Sequence, residues 1–360
     1  VTSRSVVEAH LDRIDAVNPA LNAVVRRLDE EALAAADAAD AAVSDGSATG
    51  VFHGVPITVK ENIDLVGSPT TQAVPAFAEA LPAEDAPVTA RMKAAGAIPL
   101  ARTNLPDFGL RVHTDSSLHG LTRNPHHPDR TAGGSSGGEA AAIATGMSPL
   151  GLGNDIGGSL RNPAHCCGIA SIKPSVGVVA QASSLPPEDP TLSFQQMAVQ
   201  GTMARRVADV RASFEVVAGP DVRDPFSLPV TLTGLAHGER LRIAVLAEPP
   251  GGATHPEIAA AVRSAADVLA DAGHDVVEAI PPMYAETIDM WAALLIQDLV
   301  VMRPMLEMVM GEDAQSIIAN LLAGAPDITV ETTVMLQAGR AQAMRLWSKF
   351  LAEHPVLLSP

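Results

Sequence analysis

Aromatic residues are scarce in this chain: 7 Phe, 2 Trp and 1 Tyr among 360 residues. That supply is too thin for the stacking platforms on which single-stranded nucleic acids are held. Positive charge is short as well. The 24 Lys and Arg stand against 41 Asp and Glu, a net charge of −17, so the surface repels a phosphate backbone and an anionic membrane alike. Cysteine is nearly absent, and the two present, Cys166 and Cys167, are neighbours. Adjacent residues cannot close the loops of a secreted disulfide scaffold and lack the spacing of a zinc site, so they read as small apolar core residues in a reducing, cytoplasmic compartment. No long apolar run survives uninterrupted. The most apolar helical candidate, residues 290–310, carries Asp298, Arg303, Pro304 and Glu307, which suits a core or pocket-lining helix better than a membrane span. No basic segment followed by an apolar stretch marks a signal peptide, and the opening at Val1 implies that earlier residues precede it.

What is present is core-forming material. Hydrophobic residues make up 47% of the chain and charged residues 18%, a globular composition. Apolar periodicity predicts a helix over 3–17 capped by Ser3 or Ser5, a short strand at 22–26, an alanine-rich helix over 29–43 and a strand at 56–61. A helix ending near Gly96 precedes a strand at 97–101. A helix over 139–146, a buried strand at 149–153 and strand character over 169–179 follow. A last unit joins a strand at 241–246, a helix over 258–272 stopped by Gly273, and a strand at 275–280. This alternation implies an α/β class. One large domain over residues 1–360 is expected, with its core at about 54–210 and the βαβ unit and pocket-lining helices at about 240–310. The loop 181–190 forms a rim.

The chemistry concentrates in residues 131–161, TAGGSSGGEAAAIATGMSPLGLGNDIGGSLR. Two serines, Ser135 and Ser159, are framed by glycines that let the backbone turn sharply, present a hydroxyl and aim N–H groups at one spot. A serine nucleophile needs a base, and no histidine stands in an obvious relay with either. Lys60, in GVPITVKENID, can serve if burial among Val55, Ile57 and Val59 keeps its amine neutral.

The ordered motifs GVPITVKENID, GGSSGGE, GLGNDIGGSLRNPA and CGIASIKPS closely resemble the amidase signature family over residues 54–179, with weaker agreement at 200–210. The resemblance implies a single large mixed β-sheet core covered by helices on both faces. It implies Ser159 as nucleophile, Ser135 on a cis peptide as proton relay, and Lys60 as base. Backbone N–H groups of Ile156, Gly157, Gly158 and Ser159 would form the oxyanion hole. Ser136 is expected to be a hydrogen-bonding neighbour, with Asp155 and Arg161 orienting the loop or Lys60, or else forming a purely structural ion pair. The resemblance places Asn104, Leu105, Phe108 and Gly109 near the substrate, together with 181–195 and 290–310. In the family the chain runs on well past this point, so a C-terminal portion returning to the sheet is expected beyond residue 360.

Rival motifs fail on spacing. Gly151, Gly153 and Gly157 miss a dinucleotide fingerprint by one position, and Ser159 lacks the framing of a hydrolase elbow. His126 and His127, in a proline-rich loop, suggest bracing or solvation, so neither metal nor cofactor is expected. The expected reaction is hydrolysis of an apolar or aryl amide through an acyl-enzyme, with esters within reach and carbamate (urethane) hydrolysis as the alternative. A second alternative is the amidase subunit of a glutamine-dependent tRNA amidotransferase, which needs partner subunits and ATP. The acidic surface and the NLPDFGLRVHTDSS segment argue against it. A homodimer is compatible with the sequence, which does not decide oligomeric state.

Overall fold

The computed structural model describes residues 1–47, 49–232, 234, 238–325 and 328–360. The chain divides into two compact units, Val1–Leu232 with Arg303–Ile318, and Thr233–Met302 with Ala319–Pro360.

The first unit is built on a six-stranded mixed sheet. Its strands and helices, in chain order, are α1 (Ser3–Leu21), β1 (Val24–Arg27), α2 (Asp29–Ser44), β2 (Pro56–Lys60), α3 (Pro87–Ala94), β3 (Ile98–Thr103), β4 (Asp115–Ser116), β5 (Gly120–Leu121), α4 (Gly137–Ala144), β6 (Leu150–Asp155), α5 (Arg161–Cys167), β7 (Ala170–Ser171), α6 (Leu192–Met197), β8 (Val199–Ala204) and α7 (Val207–Val217). The strand order is β1-β3-β2-β6-β8-β7. The central β3, β2 and β6 run parallel, while β1, β8 and β7 are antiparallel to their neighbours. β4 and β5 form a small separate ladder.

Period-two alternation assigns the two faces. Ile57 and Val59 of β2 and Leu150 and Leu152 of β6 enter one core with Val88 and Met92 of α3 and Val210 and Val217 of α7. The opposite face packs α1, α2, α4 and α5 through Val7, Leu11, Ile14, Ala140–Ile143 and Ala164. Each such buried aliphatic contributes about 1.5–3 kcal/mol. In β6 the leucines alternate with Gly151 and Gly153, whose lack of a side chain lets α4 lie directly on the strand. A Cβ at Gly153 would come within 2.9 Å of Ser136 Oγ.

The second unit carries its own three-stranded parallel sheet, in the order β10-β9-β11. It comprises β9 (Arg242–Val245), α8 (Pro256–Asp271), β10 (Asp275–Glu278), part of α9 (Tyr284–Val309), part of α10 (Glu312–Ala323), α11 (Val330–Glu353) and β11 (Val356–Leu358). Gly273 follows α8 at φ +97°, the left-handed geometry of a helix stop. Tyr284 stacks on Trp347 at 6.2 Å.

Three sequence expectations shift. The cap of α1 is Thr2, which exchanges hydrogen bonds with Ser5 in a capping box; Ser5 is its responder. Strand character over 169–179 contracts to the two residues of β7, because Pro174 has no N–H to donate and Gly177 turns the chain at φ +83°. The helix expected from Glu139 starts at Gly137 and ends at Ala144.

Candidate active site

The site lies at the carboxyl ends of the parallel strands β2 and β6, where open α/β sheets hold ligands. Lys60 is the last residue of β2. Alternation from Ile57 and Val59 turns it, with Thr58, toward α4. Ser135 and Ser136 precede α4, and Ser159 lies between β6 and α5. The Gly134–Ser135 peptide is cis, and Gly133 beside it sits at φ +80° with no room for a Cβ, which would fall 2.6 Å from Pro163 Cα.

Two clips join the serine loops. Ser136 N–H donates to Ser159 O at 3.2 Å. Asn162 accepts the Gly134 N–H on its Oδ1 at 3.1 Å and donates its own N–H to Gly158 O at 2.6 Å. Ser136 Oγ lies 3.5 Å from Asn154 O, a hydrogen-bonding neighbour and not a member of the Lys60–Ser135 contact.

Lys60 is fully buried. Its Nζ is 2.7 Å from Ser135 Oγ and 2.6 Å from Asn154 Oδ1. Asn154 turns its Nδ2 to Asn62 Oδ1 at 2.9 Å, so its Oδ1 can only accept from the lysine. A neutral amine has two N–H donors and one lone pair; with a donor committed to Asn154, the lone pair can face the Ser135 hydroxyl. Burial pushes the Lys60 amine down to about 7, against the pull of Asp155 and Glu139 in the other direction.

Glu139, from the GGSSGGE run, is equally buried. It accepts hydrogen bonds from Thr58 Oγ1 and, at 2.6 Å, from Thr103 Oγ1. Burial pushes its carboxyl up to about 7, opposed by those hydroxyls and by the charges of Lys60 and Arg102.

Asp155 organises the loop that carries Ser159. Burial works against its charge, but the bidentate Arg161 guanidinium and the N–H groups of Leu160 and Gly158 hold it below the usual aspartate range. Gly158 N–H is engaged at 2.7 Å with Asp155 Oδ1, which removes it from the expected oxyanion donors. The Gly157 and Ser159 N–H groups make no hydrogen bond among the described residues.

The expected substrate-side residues divide. Asn104 and Leu105 are sealed from solvent, and Asn104 braces the β4–β5 region through Gly120 O and Thr122 Oγ1. Phe108 is partly exposed, at φ +51°, and meets Phe77 edge to face at 5.9 Å. Gly109 borders Ser135 directly: a Cβ there would sit 3.1 Å from Ser135 Oγ. The rim loop 181–190 is anchored at its start by buried Asp64, which accepts from Ser183 Oγ at 2.9 Å and Ser184 N–H at 2.8 Å. His126 braces its loop against Cys167 O at 2.8 Å. Cys167 is buried and its thiol is pushed up to about 12.

Sequence reasoning missed Asn154, Asn162 and Asn62, and passed over Glu139. The signal for Asn154 was a polar residue, followed by Asp155, at the end of an otherwise leucine and glycine strand. For Glu139 it was a charged residue inside an otherwise alanine-rich helix just after the serine pair.

The family model for amidases matches residues 5–352. The chain is 42% identical over 363 residues to the indoleacetamide hydrolase of Bradyrhizobium diazoefficiens, covering 100% of this chain and 69% of that protein. It is 30% identical over 370 residues to an acylamidase of Rhodococcus erythropolis, covering 100% of this chain and 76% of that one. A solved bacterial aryl acylamidase of the amidase signature family superposes with a TM-score of 0.85 at 28% identity, over 100% of this chain and 76% of that structure. With these similarities spanning a mixed α/β fold of the same kind, the chain belongs to the amidase family, hydrolases of carbon–nitrogen bonds other than peptide bonds.

Proposed function

We propose that this protein hydrolyses an aryl-substituted or otherwise apolar amide, an arylacetamide of the indoleacetamide kind being the first choice, through an acyl-enzyme on Ser159. The observation that carries this reading is the buried Lys60 amine, 2.7 Å from Ser135 and titrating near neutrality. The names of the relatives support the substrate class, as does the aromatic pair Phe77–Phe108 beside Gly109. The two free thiols suit a reducing, cytoplasmic setting.

In this mechanism neutral Lys60 draws the proton of Ser135, which takes that of Ser159 as its oxygen attacks the amide carbonyl. The Gly157 and Ser159 N–H groups receive the negative charge on the former carbonyl oxygen. The proton then passes back through Ser135 to the leaving nitrogen, which departs as ammonia or amine. Water attacks the resulting ester by the same relay, and the carboxylic acid leaves.

The test is product release from indoleacetamide, an acyl anilide and a carbamate of the same aniline, with wild type, Ser159→Ala and Lys60→Ala. Turnover is expected with the amides and is lost in both variants. Wild-type activity in Ser159→Ala would remove the nucleophile assignment, and faster carbamate cleavage would move urethane hydrolysis to first place.

A further inference from the structure

Arg102, in β3, is fully buried and takes no part in the chemistry above. Its guanidinium lies against the end of β2. Nε donates to Val59 O at 3.3 Å, and Nη2 donates to Lys60 O at 3.3 Å and to Ile63 O at 2.6 Å. Ile63 N–H returns to Lys60 O at 3.0 Å. The chain therefore wraps the guanidinium, and the carbonyl of Lys60 itself is one of its acceptors.

The next residue, Glu61, is also fully buried. Its Oε2 accepts from Thr71 Oγ1 at 2.6 Å and lies 2.6 Å from His119 Nε2. Burial pushes the Arg102 guanidinium down to about 10, and Glu61, followed by Asp64, is the main charge holding it up. The frame reaches Ser135 from its other side too. Beyond Thr71, Gln72 O accepts the Phe108 N–H at 2.9 Å, and Phe108 precedes the Gly109 that borders Ser135. Gln72, Ala73 and Phe108 all adopt positive φ, a backbone state that persists where its surroundings over-determine it.

A buried guanidinium is an expensive way to gain stability, since an apolar residue of similar size does as well or better. A lysine would supply a point charge on a flexible stem; only the planar fork reaches several fixed carbonyls at once. We propose that Arg102 is a positioning residue that, together with the bonds from Thr71 and His119 to Glu61, holds the backbone of residues 59–63 so that the Lys60 amine meets Ser135 and Asn154. This inference rests on Lys60 being the base.

The experiment measures the rate at which a fluorophosphonate labels Ser159, as a function of pH, in wild type, Arg102→Lys, Thr71→Val, Lys60→Ala and Ser159→Ala, with thermal unfolding of each. This readout needs no knowledge of the natural substrate. A folded Arg102→Lys is expected to label more slowly by on the order of a hundredfold. Its acid limb should move to higher pH as Lys60, no longer held in place, gains solvation. Wild-type rate and an unshifted limb in a folded Arg102→Lys overturn the inference, even with Lys60→Ala inert. Wild-type labelling in Lys60→Ala overturns the reading beneath it instead. If Arg102→Lys does not fold, Thr71→Val, which removes one bond to Glu61, decides: a smaller shift of the same sign supports the frame, and an unshifted limb overturns it.

Discussion

Glu139 occupies the space that a side chain at position 151 would fill: a Cβ built on Gly151 would lie 1.7 Å from Glu139 Oε1. Helix α4 can seat its acid on the sheet, under the hydroxyls of Thr58 and Thr103, only because β6 alternates leucine with glycine. Gly151→Ala is therefore expected to destabilise the fold by about 1–3 kcal/mol through overpacking. Adding Glu139→Ala should return part of that loss, read as a favourable coupling in a double-mutant thermal unfolding cycle. Strict additivity of the two changes would contradict the contact.

With Lys60 as the proposed base, the pH dependence of kcat/KM follows from its amine. That amine titrates at about 7 and must be neutral to accept a proton, so activity should rise with pH through that value. The charge of Glu139 favours the protonated lysine. Glu139→Gln should therefore move the acid limb to lower pH, and a shift in the other direction would show that Glu139 does not act on Lys60 through its charge.

Gly109 stands at φ +70° with Ser135 Oγ 3.1 Å from its virtual Cβ. Gly109→Ala adds a methyl against the proposed relay and places alanine in a left-handed conformation that costs about 1–2 kcal/mol. The expected result is a kcat lower by about ten- to a hundredfold in protein that remains folded. An unchanged kcat at lowered stability would confine the role of Gly109 to the backbone.

Asp155→Asn should lower kcat, because the loop presenting Gly157 and Ser159 loses the carboxylate that gathers Arg161, Leu160 and Gly158. It should also change stability in a pH-dependent way. The Asp155 carboxyl is depressed in the folded state, so its contribution is present above the ordinary aspartate value and is lost as pH falls through the folded one. Urea midpoints of wild type and variant should differ at pH 7 and converge in acid.

Much of this molecule is legible in one dimension. The glycine frames around Ser135 and Ser159 are local, because a sharp turn requires glycine wherever it occurs. The strand at 56–61 and the helix over 29–43 follow from apolar period and propensity, and both stand in the structure within a residue. Glycine after α8 stops that helix by the same local rule. Ordered motifs with a shared arrangement also implied a family, and whole-chain similarity carries it.

Other features depended on elements far apart in sequence. That Lys60 meets Asn154 is decided by β2 and β6 lying parallel and adjacent, and that it meets Ser135 by α4 packing on β2, neither of which any spacing along the chain encodes. Asn104, expected near the substrate, is buried and braces Gly120. Gly158 looked like an oxyanion donor until the reach of Asp155 engaged its N–H. Arg102 carries no signal in the sequence, yet the sheet buries it against three carbonyls. The sequence alone determined which residue types could do the chemistry, because glycine turns, hydroxyl nucleophiles and apolar alternation are local properties. Only the tertiary structure decided which of them meet and which amine or carboxylate is stripped of water, since burial and charge proximity arise from all the neighbours at once.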